Sequence, residues 1–352
     1  MSPATPEPAP LVEVTRGSIT ESRHRGHVAA VDGGGRMVAR LGAPGMVTFM
    51  RSSAKPFQAL PLVTTGAADR FAFDARELAV ACGSHNGEAI HTETVAGMLR
   101  KTGLGPEHLK CGVHEPFSRE VAQGLAERGE KPDVLQNNCS GNHAAMLALA
   151  LHLGAPLDSY DQLENPAQLE IARAVSLFSG VPLGDVAYGV DGCGALAFGV
   201  PVRSMALMYA RLVAPPAEFD AQTREACARI VSAMTDYPEM IGGGGATERL
   251  DTEMMRAAGG RLISKIGAEG VYAAGVLPCD EWPLGLGFAL KIEDGEDRRA
   301  RPAVVIESLR QLGVLTGASL EDVGAYASFP VSNHRGETVG EVRASFELER
   351  GE

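Results

Sequence analysis

Apolar positions along the chain alternate like strands near both ends and follow a helical period in the middle. Short β-branched runs flank the glycine-rich turn Asp32–Arg36, a pattern typical of a β-hairpin. Strand-like runs return at Leu262–Val276 and Leu284–Ile292, and Ala300–Leu312 then predicts a helix. A last hairpin is predicted across His334–Glu337.

Helix signals dominate between about residues 56 and 235. Asp74 and Glu77 form a capping box, and Asn165 is followed by proline, which is favoured at the first helical position. The run Gly141–Leu153 is apolar almost all round and therefore predicts a buried helix. Further along, Asp251 is expected to cap a short helix.

Strands at both ends with helices between them are not alternating βαβ units. The pattern predicts an α+β fold, with an antiparallel sheet made from both chain ends and a large helical insertion. Residues 1–10 are expected to be a flexible lead-in and residues 11–352 a single catalytic unit. In that unit we expect a sheet lobe of about 11–55 and 255–352 and a mainly helical lobe of about 56–254.

Composition narrows the class of partner. The chain has 352 residues, 32 basic and 44 acidic, which gives a net charge of −12 and opposes nucleic-acid binding. No apolar helical stretch is long enough to span a bilayer, and the N-terminal residues lack a signal-peptide pattern, so no membrane partner is expected. The six cysteines are sparse and lack framework spacing, which favours a reducing, cytoplasmic location.

Three short motifs carry the candidate chemistry. Ser52 and Lys55 read as S-x-x-K, Ser84 with Asn86 as S-x-N, and Lys265 begins K-x-G, the order found in serine acyl-transfer enzymes that lack a histidine base. A serine hydroxyl needs a base, and a lysine with a lowered pKa can serve. Lys265 lies in an apolar strand-like run, where burial would lower its pKa, and the nearby glycine would let a substrate approach.

Two further segments carry thiols. Cys139 precedes the predicted buried helix, and Cys193 follows Asp191 in a tight turn. From the residues alone these cysteines could be metal ligands, a nucleophile with its partner, or small buried side chains.

The ordered set of motifs resembles the Rhizobium-type asparaginases, the asparaginase II family, over about residues 11–348. The resemblance rests on five segments: Arg51–Pro56, Cys82–Glu88, Asn138–Gly141, Asp191–Gly194 and Ser264–Gly267. It implies a serine β-lactamase/glutaminase-like fold and hydrolysis of the L-asparagine side-chain amide to aspartate and ammonia. It also implies a homodimer and a small amino-acid amide as substrate.

The family's residue roles can be transferred position by position. Its two Ser–Lys pairs map onto Ser52 with Lys55 and Ser84 with Lys265, with Ser52 as nucleophile and Lys55 as its base. The resemblance also implies four substrate-binding residues: Arg51, His85, Asn86 and Asp191. Of these, Arg51 would hold the substrate carboxylate and Asp191 would balance the substrate ammonium.

The same resemblance implies a zinc ion held by Cys139, Cys193 and a lysine. Asn142 stands at the lysine position, and an amide is a poor zinc ligand beside thiolates. Two alternatives to an asparaginase stay open. One is a related hydrolase acting on glutamine, a β-lactam or another small amide, and the other is a weakened homologue that binds an amino acid.

Overall fold

The protein is described by a computed structural model that covers residues 7–244 and 249–351. The strands are β1 Ala9–Arg16, β2 Ile19–Asp32, β3 Met37–Leu41, β4 Val47–Phe49, β5 Ala187–Val190, β6 Leu196–Pro201, β7 Leu262–Gly267, β8 Val271–Val276, β9 Leu286–Ile292, β10 Ser328–Ser332, β11 Thr338–Ala344 and β12 Glu349–Arg350. The helices are α1 Lys55–Thr64, α2 Ala67–Arg70, α3 Ala75–Cys82, α4 Ala89–Thr102, α5 Arg119–Glu127, α6 Ser140–His152, α7 Pro166–Ser179, α8 Val202–Val213, α9 Ala221–Asp236, α10 Leu250–Ala257, α11 Ala300–Gln311 and α12 Gly317–Asp322. Within the described ranges, no helix combines the length and apolar character needed to cross a membrane.

The first of two compact units is built on an antiparallel sheet and comprises Met1–Ser53, Val200–Pro216 and Met254–Glu352. Its strands follow the order β10-β11-β1-β2-β9-β8-β7, with β3 pairing β2 and β12 beside this path. The strand β2 pairs β9 from Gly26 opposite Ile292 to Asp32 opposite Leu286. The two chain ends therefore share one sheet, and the predicted α+β architecture is confirmed.

Helices cover the centre of this sheet. Every residue of β8 is buried, and successive strand residues point to opposite faces, so both faces are covered. Helix α8 packs on β2, β8 and β9, while α11 packs on β1, β8, β9 and β11. Gly287 permits the close approach of α8, because a Cβ atom there would lie 1.8 Å from the Ala206 carbonyl oxygen.

The division of the chain differs from the expected lobes in one segment. Residues 200–216, which contain α8, were expected in the helical lobe but cluster with the sheet. An amphipathic helix shows in its sequence that it has an apolar face, without showing which element covers that face. The predicted lead-in also differs: residues 1–6 lie outside the described part, and Ala9 already begins β1.

The second unit is mainly helical and comprises Ala54–Gly199 and Ala217–Glu253. Helix α6 lies at its centre, buried from Ser140 to Ala150 and in contact with α1, α3, α4 and α7. A Cβ atom at Gly141 would lie 2.6 Å from the Val80 carbonyl oxygen, so glycine lets the start of α6 lie against α3. The unit also contains β5, which pairs antiparallel with β6, a hairpin that the sequence reasoning missed.

Local end signals of the helices are mostly confirmed. Asp74 and Glu77 form the reciprocal capping box of α3, and Asn165 accepts a hydrogen bond from Ala167 N–H at the start of α7. Gly103 ends α4 with a φ of 75°, in the left-handed region that favours glycine. The predicted cap at Asp251 is wrong, because α10 begins one residue earlier and Asp251 lies in its first turn.

Candidate active site

The candidate site in the second unit is centred on Lys55, the first residue of α1. Its side chain is 3% exposed, and its Nζ lies 2.6 Å from the Gly83 carbonyl oxygen, 2.9 Å from Ser84 Oγ and 3.3 Å from Cys139 Sγ. Pro56 follows in the first helical turn, where backbone N–H groups have no partner within the helix, so the N–H that proline lacks costs no helical hydrogen bond. Lys55 therefore meets three acceptors with three donors.

These contacts follow from how two helices end and begin. Helix α3 ends at Cys82, and the next residue, Gly83, has a φ of −80° and a ψ of 158° that turn the chain into the extended segment carrying Ser84. Helix α6 begins at Ser140, and the close approach at Gly141 places this start beside α3. Ser84 and Cys139, which are 55 positions apart, thereby reach the same lysine.

The arrangement around Lys55 suits proton transfer. As an ammonium, Lys55 donates to all three neighbours. As a neutral amine it keeps two donors, for Gly83 and Cys139, and its lone pair can accept the proton of the Ser84 hydroxyl. Both protonation states thus use the same contacts, which is the property required of a general base that returns its proton.

Cys139 and Cys193 lie side by side as free thiols. A hydrogen bond from Cys193, with the charge of Lys55 as a further cause, lowers the pKa of Cys139 to about 5 against the opposing effect of burial. The same hydrogen bond raises the pKa of Cys193, and burial adds to that rise. The lowered pKa favours the thiolate form of Cys139, whose Sγ lies 3.3 Å from Lys55 Nζ.

The residues around the two thiols do not fit the implied zinc site. Asn142 is 1% exposed, and its Nδ2 donates to the Ala81 carbonyl oxygen at 3.3 Å. Its neighbour His143 places Nδ1 2.6 Å from the Tyr160 hydroxyl. Zinc sites in proteins use at least three ligands, and of the three positions that the resemblance implies, Cys139 and Cys193 carry a side chain suited to zinc while Asn142 does not. The donor set is at least one ligand short.

His85 and Asn86 follow Ser84 in the extended segment. His85 is fully buried, accepts from Gly87 N–H at Nδ1 and places Nε2 3.0 Å from Ser140 Oγ. Burial first, then the charge of His91, holds the pKa of His85 well below its ordinary value, so the ring is neutral and Nε2 is the donor. These contacts give His85 a structural role in the segment, and its substrate contact stays a prediction.

Arg249 is a residue of this site that the sequence reasoning missed. Its Nη1 donates to the Ser84 carbonyl oxygen at 2.6 Å and to Asn86 Oδ1 at 2.9 Å. No motif marks it, because its partners are 165 and 163 positions away. Its place directly before α10 was a weak signal, since the short helix itself was predicted.

The first unit holds Arg51, Ser52 and Lys265. Ser52 is half-buried in a 3-10 turn, Arg51–Ala54, which is held by a hydrogen bond of 2.8 Å from the Tyr209 hydroxyl to the Ser53 carbonyl oxygen. Lys265 is fully buried in β7, where its Nζ lies 3.1 Å from the Ile266 carbonyl oxygen. A Cβ atom at Gly267 would lie 2.7 Å from the Met50 carbonyl oxygen, so this glycine brings β7 close to the chain entering the turn.

Arg51 has a strained backbone. Its φ of 51° is uncommon for a residue with a side chain, and its Nη1 lies 3.9 Å from Glu269 Oε1. Such strain of about 1–3 kcal/mol persists where the surroundings fix it, often at functional sites. The residue before Ser52 therefore lies in a firmly held turn.

The predicted residues thus fall into two groups. In the second unit Lys55, Ser84 and Cys139 touch, and Cys193 and Asp191 belong to the same electrostatic cluster. In the first unit the turn with Arg51 and Ser52 adjoins the strand with Lys265. The lysine that contacts Ser84 in the second unit is Lys55, whereas the resemblance pairs Ser84 with Lys265, a pairing that stays a prediction.

Comparison with known proteins identifies the family. The family model described as L-asparaginase II matches residues 12–344. The chain belongs to the L-asparaginase II family. The match spans both units and nearly all of the described residues, and it includes every candidate site residue. As a member of the L-asparaginase II family, the protein is an amidohydrolase.

Similar solved structures have low sequence identity. A probable glutaminase from Bacillus subtilis complexed with 6-diazo-5-oxo-L-norleucine is 14% identical with a TM-score of 0.38, covering 82% of this chain and 84% of that chain. A Bacillus glutaminase is also 14% identical with a TM-score of 0.38, covering 82% of this chain and 91% of that chain. No curated protein matches the chain in sequence.

Proposed function

We propose that this L-asparaginase II family member hydrolyses L-asparagine to aspartate and ammonia. The observation that carries the proposal is the contact of Lys55 Nζ with Ser84 Oγ at 2.9 Å, away from solvent. A buried lysine beside a serine is the minimum apparatus for acyl transfer without a histidine base. Membership of the family indicates that the substrate is an amide, and the Ser–Lys contact favours a mechanism through a covalent acyl-enzyme.

The proposed reaction forms and then hydrolyses an ester. A serine Oγ attacks the side-chain amide carbon while a lysine takes the hydroxyl proton. The C–N bond then breaks, and the departing nitrogen takes a proton to leave as ammonia. Water attacks the resulting aspartyl ester, releases aspartate and restores the serine.

By resemblance Ser52 is the nucleophile and Lys55 its base, while Ser84 and Lys265 relay protons to the leaving group. Arg51 binds the substrate carboxylate through its planar fork, and Asp191 balances the ammonium. The contact of Lys55 with Ser84 favours a second assignment, in which Ser84 is the nucleophile. The two assignments differ in which serine carries the acyl group.

The assay measures ammonia released from L-asparagine, L-glutamine and D-asparagine by the purified protein. Release from L-asparagine above the others supports the proposal; preference for L-glutamine would replace it with a glutaminase. If the folded protein releases ammonia from none of the three substrates, the amidase proposal is refuted, and the alternative of an amino-acid-binding homologue is favoured.

Serine variants then assign the nucleophile. Loss of the nucleophile should remove the acyl-enzyme, seen as an added aspartyl mass after acid quenching, and lower kcat by at least about 10³-fold. We expect this result for Ser52→Ala, whereas Ser84→Ala should slow turnover and still accumulate acyl-enzyme. The reverse result would assign Ser84. Ser53→Ala is the matched control, because its Oγ donates to the Met50 carbonyl oxygen and has no role in the proposal.

We also propose that the protein works without zinc, because Asn142 leaves the donor set incomplete. Elemental analysis of protein purified without chelators should find well under one zinc per chain, and excess EDTA should leave ammonia release unchanged. One tightly held zinc per chain would refute this. A homodimer and a cytoplasmic location stay predictions, the first testable by light scattering on the purified protein.

A further inference from the structure

The segment that carries Ser84, His85 and Asn86 is held by backbone hydrogen bonds, although it belongs to none of the strands. Ser84 N–H donates to the Ile241 carbonyl oxygen at 2.9 Å, and Asn86 N–H donates to the Gly242 carbonyl oxygen at 2.8 Å. These bonds fix the donors on one side of the segment. The Ser84 carbonyl and the Asn86 side chain are fixed by another residue.

That residue is Arg249, which reaches the segment from the start of α10. Its stem packs against Gly242, where a Cβ atom would lie 3.0 Å from Arg249 Cβ. Its side chain is 11% exposed, and Nη2 lies 3.6 Å from a carboxylate oxygen of Asp251, whose side chain is fully buried. A buried counter-charge allows the guanidinium to stay away from water, at an energetic cost that such pairs commonly carry.

The guanidinium determines how the Asn86 amide is oriented. An amide has an oxygen that accepts and an NH₂ that donates, while a guanidinium has donors alone. Because Arg249 Nη1 lies 2.9 Å from the amide of Asn86, the oxygen must be the end that faces it. The NH₂ group then points away from Arg249 and can donate to another acceptor.

We propose that Arg249 is a positioning residue that presents the Asn86 amide NH₂ as a donor to an acceptor oxygen of the substrate. The acceptor is a carboxylate or amide carbonyl oxygen, not the substrate ammonium. Arg249 also fixes the Ser84 carbonyl, while Lys55 holds the Ser84 hydroxyl, so the serine is restrained at both ends. This inference rests on the proposed amide hydrolysis.

Asn86→Asp is the decisive variant. A carboxylate keeps an acceptor for Arg249 and strengthens that bond, but it cannot donate to the substrate. We expect a thermal midpoint within a few degrees of wild type. We also expect kcat/KM for L-asparagine to fall at least about tenfold, mainly through a higher KM. The variant keeps the structural contact between Arg249 and residue 86 and removes only the NH₂ donor. Unchanged kinetics would therefore show that the substrate does not use this donor, and would overturn the proposal.

Arg249→Lys tests the positioning step. One ammonium cannot reproduce the planar fork, so kcat/KM should again fall at least about tenfold. The matched control is Arg128→Lys, because Arg128 is an exposed arginine of the same unit that bonds Glu130. Equal activity of the Arg249 and Arg128 variants would overturn the positioning role. If Arg249→Lys does not fold, Asn86→Asp still tests the NH₂ donor, and unchanged kinetics in that variant would overturn the proposal.

Wild-type protein is measured in parallel, together with calorimetric binding of L-aspartate. If wild type releases ammonia and the variants have the same kcat/KM as wild type, the inference about Arg249 and Asn86 is overturned and the proposed hydrolysis stands. No release, but aspartate binding that Asn86→Asp weakens at least about tenfold, would refute the hydrolysis and retain Asn86 as a ligand donor. Neither release nor binding by wild type would overturn both.

Discussion

Replacement of His143 should make the protein less sensitive to acid. The ring is fully buried in α6, with Nδ1 2.6 Å from the Tyr160 hydroxyl. Burial first, then the charge of Lys55, lowers the pKa of His143 from 6.5 to about 3. Between these pH values the unfolded chain is protonated at this site and the folded chain is not, so the free energy of unfolding falls as pH falls.

The size of the effect follows from that pKa difference. At 1.36 kcal/mol per pKa unit, the whole shift is worth at most about 5 kcal/mol. The interval from about pH 7 to pH 4.5 covers part of the range between the two pKa values. Over this interval, protonation of His143 in the unfolded chain should lower the free energy of unfolding by about 2.5 kcal/mol. Above about pH 7.5, a full unit above the unfolded pKa, the ring is neutral in both states and contributes no pH dependence.

Urea unfolding of wild type and His143→Gln at a series of pH values measures this contribution. Glutamine can still bond Tyr160 but does not titrate, so its stability should decline less on acidification, by about 2.5 kcal/mol at pH 4.5. Other buried groups, including His85, titrate in both proteins and cancel in the difference. His334→Gln, at an exposed turn position, is the control and should follow wild type.

Parallel curves for wild type and His143→Gln between about pH 7 and pH 4.5 would refute the reasoning. That result would mean that the ring gains a proton in the folded protein, through access to water or through a nearby acceptor. A steeper curve for the variant would contradict the sign itself, since it requires a raised pKa.

Four further substitutions test packing and caps by urea unfolding. Gly141→Ala should destabilise the protein by about 1–2 kcal/mol, because overpacking against Val80 outweighs the gain in helix propensity. Its control is Gly124→Ala, which should stabilise by up to about 1 kcal/mol because the new Cβ atom meets only the flexible end of an arginine side chain. Equal effects of the two substitutions would contradict the close helix contact at Gly141. Asp74→Ala should cost about 1 kcal/mol by removing one half of the α3 capping box, and no loss would show that the cap is dispensable. Gly287→Ala should cost at least about 2 kcal/mol, since its Cβ atom would overlap a carbonyl of α8, and a neutral result would place α8 farther from the sheet.

Most of the secondary structure could be predicted because its signals are local. The capping box at Asp74 and the left-handed glycine at Gly103 depend on residues within one or two turns, and both are confirmed. The sheet from both chain ends was also predictable, since strand patterns appear at both ends and helices between them. The missed β5–β6 hairpin pairs β5, which has no buried residue, with β6, whose four central residues are all buried, so neither strand shows the alternation that marks a half-buried strand.

The contacts of the candidate site were less predictable than its members. Motifs named Lys55, Ser84 and Cys139, but the sequence could not show that one lysine touches both others. That depends on the close approach of two helices at Gly141, a packing detail with no local signature. Arg249 was missed for the same reason, because long-range pairing fixes its role and no motif contains it.

Two basic side chains hold one short segment of the second unit. Lys55 binds the Gly83 carbonyl and the Ser84 hydroxyl, while Arg249 binds the Ser84 carbonyl and the Asn86 amide. Ordinary strand pairing could satisfy such carbonyls without burying charge, and buried ion pairs are weak contributors to stability. Stability alone is therefore a poor reason for this arrangement. Placement of the Ser84 hydroxyl and the Asn86 NH₂ is a better one, because it demands fixed donors and acceptors that a short irregular segment cannot supply itself.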